Sequence, residues 1–250
     1  MRGILIPPRR RGVEYLEEPG VDPALVRRSL ADVARANRLF GGTRAVLVEL
    51  DAVLRAASRR SGFVALSAKD GDGTHPPLTL LDVGTGAADI PARARQLARR
   101  RGVALTTFGV DESETLASAS RIRLSGAVRG DALALPFATR SVDVVTCSQV
   151  LHHFPDDRAL QVIRELDRVA RVRVIISDLR RSWVAAGGIW LTSFPLGFHR
   201  VSRHDGVVSV MRGYTPTELS RLVTTAIGRP PVVRRRIGFR VTATWAPEIQ

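Results

Sequence analysis

Apolar and polar residues alternate along the chain with two periods, one typical of buried strands and one typical of amphipathic helices. Short apolar runs rich in β-branched residues predict the strands. These runs lie at 77–81, 104–110, 141–147, 172–177, 232–236 and 239–245. Segments with helical spacing separate most of the runs. The pattern therefore predicts an α/β protein in which helices cover a largely parallel sheet.

Two helices are predicted before the first strand. Asp22 and Pro23 make a favourable pair for an N-cap and a first helical position. The apolar positions that follow recur at near-helical spacing: Leu25, Leu30, Val33, Leu39 and Phe40. Gly41 and Gly42 then break the pattern, which resumes over 45–57. We therefore expect two helices joined by a glycine hinge.

Three further helices follow from apolar periodicity, at about 88–100, 156–169 and 216–227. The last of them begins in a capping box formed by Thr215 and Glu218. A chain of 250 residues can bury one sizeable core. We divide it into an N-terminal helical extension or cap (1–66), a polar linker (67–77) and a catalytic domain (78–250) with a lid insertion at about 182–213.

The turn after the first strand carries the clearest chemical signal. Gly84 and Gly86 can adopt backbone angles closed to other residues and let a ligand approach the main chain. The next helix points unpaired N–H groups at this turn, which favours an anionic ligand group. A dinucleotide site would have a third glycine where this chain has Asp89. Asp111 ends the second strand, where an acid accepts from ribose hydroxyls, so dinucleotide and nucleoside ligands both remain open here.

Residues further along the chain separate these two ligand classes. The tripeptide Gly130-Asp131-Ala132 precedes Leu135-Pro136-Phe137, and an apolar run from Ser141 to Phe154 follows. With the glycine turn, this order and spacing over about 78–182 resembles the class I S-adenosylmethionine (SAM)-dependent methyltransferases, particularly the branch that includes ubiquinone and menaquinone biosynthesis enzymes. The resemblance implies a Rossmann-like seven-stranded sheet, mostly parallel with an antiparallel last strand.

The same resemblance implies SAM as the cofactor and a set of residues that bind it. They lie at strand ends and in the turns that follow: Asp82, Gly84, Thr85, Gly86, Asp111, Glu112, Gly130, Asp131, Ala132, Ser148 and Gln149. The glycine turn would lie against the methionine part, with Asp82 bracing the turn and reaching toward the amino group. Asp111 would bind the ribose hydroxyls and Asp131 the adenine amine. Ser148 and Gln149 would face the cofactor and the acceptor.

Two details refine the resemblance. The stretches 178–182 and 204–214 resemble a bacterial subgroup of these methyltransferases that is associated with polyketide pathways. Ala88 stands where the family usually has its third small residue, glycine. We expect a slightly tighter turn there and no loss of binding.

Composition changes this interpretation little. The net charge is +14, but Lys69 is the only lysine among 38 basic residues, a ratio typical of GC-rich coding sequence. Aromatic residues for base stacking are few, which disfavours a nucleic-acid partner. The single cysteine, Cys147, is predicted to pack in a buried strand. No apolar run reaches the length of about 18 residues that spans a membrane, so we expect a cytoplasmic protein without a membrane partner, and a homodimer is compatible with the sequence.

Methyl transfer from a sulfonium needs alignment of donor and acceptor, and a phenol acceptor also needs a base. The candidate bases follow a predicted strand or lie in the lid and its following loop: His152, His153, His199, His204 and Asp178. No set of Cys, His and carboxylate residues has the spacing of metal ligands, so no metal is expected. The apolar, aromatic segment 183–198 is predicted to wall the acceptor pocket.

The sequence thus predicts SAM-dependent methyl transfer to a small, apolar or aromatic natural product at a hydroxyl oxygen. Two alternatives stay open. One is an RNA or protein methyltransferase, which the positive charge suggests. The other is a SAM-binding protein that catalyses a non-methylating reaction such as a cyclisation. Nicotinamide-dependent redox chemistry is disfavoured by Asp89 and by residues 130–154.

Overall fold

A seven-stranded sheet forms the centre of the fold. The computed structural model describes residues 6–18, 20–67 and 76–248, so most of the predicted linker, residues 68–75, lies outside the described residues. The strands are β1 (Leu78–Val83), β2 (Leu105–Asp111), β3 (Gly126–Arg129), β4 (Val142–Ser148), β5 (Ala170–Leu179), β6 (Val232–Arg236) and β7 (Arg240–Trp245). Their order in the sheet is β3-β2-β1-β4-β5-β7-β6, and the sheet is mostly parallel with antiparallel last strands. The predicted Rossmann-like sheet is confirmed.

Eight α-helices and two short 3-10 helices connect the strands in the described part of the chain. The α-helices are α1 (Pro23–Leu39), α2 (Gly42–Ser67), α3 (Asp89–Arg100), α4 (Glu114–Ser120), α5 (Asp156–Val169), α6 (Trp183–Ser193), α7 (Arg200–Arg212) and α8 (Pro216–Ile227). The 3-10 helices are Tyr15–Glu17 and Leu151–His153. The bounds of α5 and α8 coincide with the predicted ones.

Two predicted boundaries were wrong. The second N-terminal helix runs beyond 45–57 at both ends, because one interior glycine at position 62 costs a helix only about 1 kcal/mol. The stretch around His204 was expected to be a loop but lies inside α7. The glycine at position 206 is tolerated for the same reason, since α7 packs on α6 and α1.

α1 differs from the prediction in the face that it buries. The apolar positions Val33 and Leu39 are exposed, whereas Ser29, Asp32 and Asn37 are buried. Each buried polar residue has a partner: Ser29 meets the Ser202 hydroxyl, Asp32 accepts from the His199 backbone, and Asn37 accepts from the Gln149 side chain. Hydrogen bonds to α7 and to the turn after β4 therefore outweigh the apolar stripe in orienting this helix.

The residues that join α1 to α2 approach the β6–β7 turn too closely for side chains. Gly41 and Gly238 both have positive φ, +77° and +76°. A Cβ atom on Gly238 would lie 1.8 Å from the Phe40 carbonyl oxygen, and one on Gly41 would lie 2.7 Å from the Ile237 carbonyl oxygen. Backbone therefore packs directly on backbone at this point.

The chain forms two compact units. The first comprises Met1–Ala45, Ser148–Arg164 and Ile176–Ala243, and the second comprises Val46–Cys147, Glu165–Ile175 and Thr244–Gln250. In the second unit, side chains of α2, β1 and α3 share one apolar core around Leu50, Leu80 and Ala94. In the first unit, Leu179 packs with residues of α6 and α7. Among the described helices, none is both long and apolar enough to cross a bilayer.

Strand register brings the ends of β1 and β2 to one level. Val83 of β1 pairs with Val110 of β2 and with Cys147 of β4, and both pairings are parallel. The turns that follow β1 and β2 therefore leave the sheet at the same edge, which is where open α/β sheets bind ligands. Cys147 itself is buried, as predicted.

Candidate functional site

The turn after β1 provides open space beside the main chain. Gly84 and Gly86 have φ values of +68° and +50°, which side-chain-bearing residues rarely adopt. A Cβ atom on Gly86 would meet no atom within 4 Å among the described residues, so the volume next to it is open. Thr85 between the two glycines is buried. A ligand can therefore reach the backbone of this turn.

Ala88 keeps the left-handed conformation that a glycine would adopt more easily. Its φ is +56°, it caps the N-terminus of α3, and its methyl group is fully buried against Leu124 and Ala127. A left-handed alanine costs roughly 1 to 2 kcal/mol, part of which the buried methyl group offsets. The expectation of a tighter turn is untested by this geometry.

Asp111 fixes the shape of the glycine turn. Its carboxylate accepts from the Gly86 N–H at 2.9 Å and from the Ser113 N–H at 3.1 Å. The carboxylate thereby links the end of β2 to the turn after β1. Burial raises the pKa of Asp111 even though the two backbone donors oppose that effect. Asp111 is therefore both a structural brace and a candidate ligand-binding group.

Asp82 is a buried carboxyl group directly before the turn. It is 2% exposed, and it accepts from the Thr146 hydroxyl of β4 at 2.7 Å. Burial raises its pKa to about 7, and the nearby carboxylates of Asp89 and Asp111 act in the same direction. A cation placed next to Asp82 would relieve this unfavourable burial.

The predicted adenine-binding residues form a tight turn after β3. Asp131 is exposed, and its carboxylate accepts from the Leu133 N–H at 2.9 Å. Gly130 donates its N–H to the Asp111 carbonyl at 3.0 Å, so this turn is tied to the end of β2. Ala132 is half-buried and the neighbouring predicted residue Glu112 is exposed.

Gln149, just after β4, is held in a rare conformation by its neighbours. Its φ is +58°, and its N–H donates to the Ser177 carbonyl at 2.8 Å. Its side-chain amide donates to Asn37 and accepts from Arg240 at 2.8 Å. Burial lowers the pKa of Arg240 to about 10. Next to Gln149, the buried hydroxyl of Ser148 has no hydrogen-bond partner among the described residues.

His152 and Asp178 form a buried pair. The ring Nδ1 of His152 lies 2.6 Å from the Asp178 carboxylate, which also accepts from the His152 backbone N–H. Burial raises the pKa of Asp178, but the His152 ring outweighs burial and lowers it overall. An ionised carboxylate can only accept, so Nδ1 donates a proton to it. Within the described chain, Nε2 is buried and has no hydrogen-bond partner.

His153 lies in a different electrostatic environment. Its Nδ1 is 2.6 Å from the Glu17 carboxylate and 3.4 Å from the Arg212 guanidinium. Desolvation lowers the pKa of His153, but the hydrogen bond to Glu17 and the charges of Glu14, Glu17 and Asp178 outweigh it, so the pKa is raised. The Nδ1 atom of His153 is thus engaged by Glu17 and Arg212, whereas Nε2 of His152 has no hydrogen-bond partner among the described residues.

An N-terminal strap, residues 9–18, covers the histidines. Arg212 of α7 anchors it with bonds to the Gly12 carbonyl at 2.9 Å, to Glu14 at 3.3 Å and to Glu17 at 2.5 Å. Glu14 is buried and its carboxylate lies 4.0 Å from His152 Nε2. The sequence analysis did not identify these three strap contacts, because no local pattern links residues about 200 positions apart.

Three side chains in this cluster have the spacing of metal ligands. One ligand atom each of Glu14, His152 and His153 lie within 4.8 Å of one another. The Arg212 guanidinium contacts both Glu14 and His153, so a positive charge is already supplied there by the protein. No metal was expected from the sequence, and this arrangement gives no reason to assign one.

The other two candidate histidines serve α7. His199 caps the helix, since its Nδ1 accepts from the Val201 N–H at 3.3 Å. His204 is exposed over about half of its side chain, pairs with Asp205 at 2.9 Å and stacks on Tyr15. Both residues are engaged in local structure.

The sheet order and the glycine turn after β1 define a Rossmann-like α/β domain. Residues 81–176 match the family model described as "Methyltransferase domain", which spans β1 to β5 and includes the glycine turn and His152. Over this segment the chain is similar to the methyltransferase class that the sequence resemblance implied. No curated protein sequence matches the chain significantly.

Solved structures share the fold at low sequence identity. A SAM-dependent methyltransferase from Thermotoga maritima is 12% identical, with 90% of this chain and 100% of that chain covered and a TM-score of 0.51. The partner of the Trm112 methyltransferase activator from Haloferax volcanii is 12% identical, with 90% and 98% covered and a TM-score of 0.53. LepI in complex with SAM is 13% identical, with 72% and 45% covered and a TM-score of 0.51.

Proposed function

We propose that the protein transfers the methyl group of SAM to a hydroxyl oxygen of a small, apolar or aromatic natural product, with His152 as the base. The observation that carries this proposal is the buried Asp178–His152 pair, in which the ring Nε2 has no hydrogen-bond partner among the described residues. A hydroxyl becomes a better nucleophile when its proton is removed, and histidine suits this task near neutral pH.

The residues around the glycine turn fit SAM, which when bound supplies an electrophilic methyl group on a positively charged sulfur. We assign Asp82 to the SAM amino group, because a buried carboxyl with a pKa of about 7 gains from a cationic neighbour. We assign the open space at Gly86 to the methionine part. Asp111 keeps free lone pairs beside its two backbone donors, which suits ribose hydroxyls.

The remaining cofactor assignments follow the family resemblance. Asp131 and the Ala132 N–H would bind adenine, and both are at least partly accessible. Ser148 would face the cofactor, and its hydroxyl lacks a partner among the described residues, which is consistent with a ligand contact. Gln149 would also contact the cofactor or the acceptor, and its strained backbone conformation is consistent with a functional position.

Within the base pair, each residue has a separate task. His152 would take the proton of the acceptor hydroxyl at Nε2 and become an imidazolium. Asp178 acts as a positioning residue that keeps Nδ1 protonated and stabilises the positive ring. His153 would hold the N-terminal strap through Glu17.

Two arginines of the described chain contact neighbouring protein groups, which makes them poor candidates for contacts with an RNA or protein substrate. Arg168 donates to Glu165 and to the Leu135 and Phe137 carbonyls, so its positive charge is used within the fold. Arg181 is buried and bonds Glu218.

Calorimetry tests the cofactor assignment. S-adenosylhomocysteine should bind and NAD should not, and Asp111→Ala should weaken binding by roughly 1 to 3 kcal/mol if a charged hydrogen bond is lost. Binding by Asp131→Ala reports on adenine in the same assay. Unchanged affinity in the Asp111 variant would refute the ribose assignment.

Turnover of a panel of phenols tests the base. His152→Gln should lower kcat by roughly 10² to 10⁴ and remove the acid limb of the pH–rate profile, while S-adenosylhomocysteine affinity stays unchanged. His204→Gln is the matched control and should retain the rate. A His152→Gln enzyme with normal kcat would refute base catalysis, and turnover without formation of S-adenosylhomocysteine would favour a non-methylating reaction.

A further inference from the structure

The outer face of α6 is apolar and exposed. Its exposed large side chains are Trp183, Val184, Trp190 and Leu191, and Phe194 follows directly after the helix. Between 45% and 64% of each of these residues is accessible. Gly187 and Gly188 lie between them on the same side and leave the surface smooth. We call these residues the α6 face.

Packing fixes the direction of the α6 face. Ala185, Ala186 and Ile189 on the opposite side of the helix pack against Val210 and Met211 of α7 and its neighbours. Trp190 and Phe194 hold each other edge to face, with ring centroids 5.0 Å apart. The helix therefore presents its aromatic side outward in a defined arrangement. A helix that is apolar on both sides needs a second apolar environment.

The face is larger than a small acceptor requires. From position 183 to 194 an α-helix rises about 16 Å, which is several times the width of one aromatic ring. A small molecule would cover one end of it only. A continuous apolar helix side of this length suits an extended surface.

Arginines surround the face, and acids are missing from its segment. The Arg203 guanidinium lies 3.6 Å from the centre of the Phe194 ring, and Arg10 lies 6.0 Å from that of Trp183. Arg35 donates to the Leu196 carbonyl beside the face. No Asp or Glu occurs between Asp178 and Asp205 in the sequence.

We propose that the α6 face docks on an anionic lipid bilayer surface. Trp, Phe and Leu on one helix side with a basic rim are the composition of helices that lie in the membrane interface. Arginines near an anionic leaflet add about 1 kcal/mol each, and the aromatic rings enter the headgroup region. This mode needs no spanning helix, and it revises the expectation that the protein has no membrane partner.

A second copy of the chain is a poorer occupant. A twofold contact would place the same surface on itself, so Arg10, Arg35 and Arg203 of both copies would meet. The segment between Asp178 and Asp205 brings no carboxylate to neutralise them. Like charges brought together in this way oppose association.

Vesicle sedimentation with the full-length protein tests the proposal. The protein should co-sediment with vesicles of phosphatidylcholine and phosphatidylglycerol, and roughly tenfold or more weakly with phosphatidylcholine alone. The double variant Trp190→Asn/Leu191→Asn should bind the anionic vesicles roughly tenfold or more weakly than the wild type. The matched control is Ile122→Asn/Ile237→Asn, which removes two side chains that are 92% and 71% exposed elsewhere. This control should bind like the wild type.

Tryptophan fluorescence gives a second readout. In a variant whose only tryptophan is Trp190, the emission should shift to the blue when anionic vesicles are added. In a variant whose only tryptophan is the buried Trp245, the emission should not shift. Absence of binding to anionic vesicles would overturn the proposal. Equal vesicle binding by the wild type and by Trp190→Asn/Leu191→Asn would also overturn it. A third contrary result would be a dimer of the wild type in ultracentrifugation that this double variant dissociates. None of these outcomes depends on methyl transfer.

Discussion

Asp82 is a buried ionisable residue of the second unit with a strongly raised pKa. Its carboxyl group is buried, its hydrogen-bond donor is the Thr146 hydroxyl, and burial raises its pKa to about 7. The unfolded chain releases this proton at an ordinary carboxyl pKa, while the fold retains it up to about pH 7. The folded state therefore loses stability as the pH rises from about 4 to 7.

We expect Asp82→Asn to remove this pH dependence. Without cofactor, the wild type should lose roughly 2 to 4 kcal/mol of unfolding free energy between pH 4 and pH 8 through this one group. The variant should not show this loss. Urea unfolding at a series of pH values measures the difference. The control is Asp131→Asn at an exposed position, which should leave the slope of unfolding free energy against pH as in the wild type. If the wild type and Asp82→Asn gave the same slope, the raised pKa of Asp82 would be contradicted.

At the scale of single residues, the sequence revealed what is local and missed what is distant. Gly84 and Gly86 stand out because a strand and a helix flank them within a few positions. Glu17 and Arg212 are 195 positions apart, and neither carries a signal that points to the other. Their pairing arises only when α7 and the N-terminal strap fold together.

The N-terminal strap is the element whose position depends most on one side chain. Arg212 is buried and bonds the Gly12 carbonyl and the carboxylates of Glu14 and Glu17. Hydrogen bonds from Arg212 and His153 hold the pKa of Glu17 well below its usual range, although burial opposes this. Removing the guanidinium leaves the buried Glu14 without its cation.

We expect Arg212→Met to destabilise the protein by roughly 3 to 5 kcal/mol or to release the strap, because a buried carboxylate loses its partner. Trypsin should then cut faster at Arg9 to Arg11, and N-terminal sequencing identifies the site. Arg221→Met, at an exposed position of α8, is the control. Equal cleavage rates and equal unfolding midpoints in all three proteins would show that Arg212 does not anchor the strap.

Helix α8 illustrates an element that the sequence specifies almost completely. Thr215 accepts from the Glu218 N–H at 3.2 Å, and the Glu218 carboxylate accepts from the Thr215 N–H at 2.8 Å. Gly228 ends the helix with a φ of +75°. Each of these contacts involves residues within four positions.

Replacing the cap should have a measurable and moderate effect. Thr215→Ala should lower the free energy of unfolding by about 1 kcal/mol, because the helix N-terminus loses one acceptor. Thr217→Ala, exposed two positions later, should change it by less than about 0.5 kcal/mol. Denaturant unfolding of both variants measures these changes. Equal unfolding midpoints for Thr215→Ala and Thr217→Ala would contradict the role of the capping box.

At the scale of helices and strands, the sequence predicted the kind of several elements and the residue ranges of α5 and α8. It did not predict which side of α1 is buried. α5 and α8 matched because caps and periodicity are sequence properties. The buried side of α1 could not be predicted, since Ser29, Asp32 and Asn37 are buried by partners on other elements. Hydrophobic patterning assumes an apolar contact, and α1 docks through polar ones.

For the molecule as a whole, cofactor binding should stabilise the fold. A ligand that binds only the native state adds about 2.7 kcal/mol at one hundred times its Kd, which for a chain of this size raises Tm by roughly 5 to 10 °C. We expect this shift with S-adenosylhomocysteine and none with NAD. Scanning calorimetry at several ligand concentrations measures it, and a Tm independent of S-adenosylhomocysteine would contradict the cofactor.

The seven-stranded, mostly parallel sheet could be predicted because the motifs at β1, β2 and β4 resemble those of a known family. The net charge of +14 was a weaker guide at this scale. It could not show which arginines serve the interior, such as Arg181, and which surround the α6 face, such as Arg10. Only the folded chain separates these two groups.

The contact of the Phe40–Gly41 corner with Gly238 limits how this chain can change. A methyl group at position 238 would overlap the Phe40 carbonyl oxygen, so the two backbones would have to separate. Asn37, one turn earlier, would then be drawn away from Gln149. Among folded clones of a library randomised at position 238, glycine alone should survive, and engineering of the acceptor specificity is better directed at other loops.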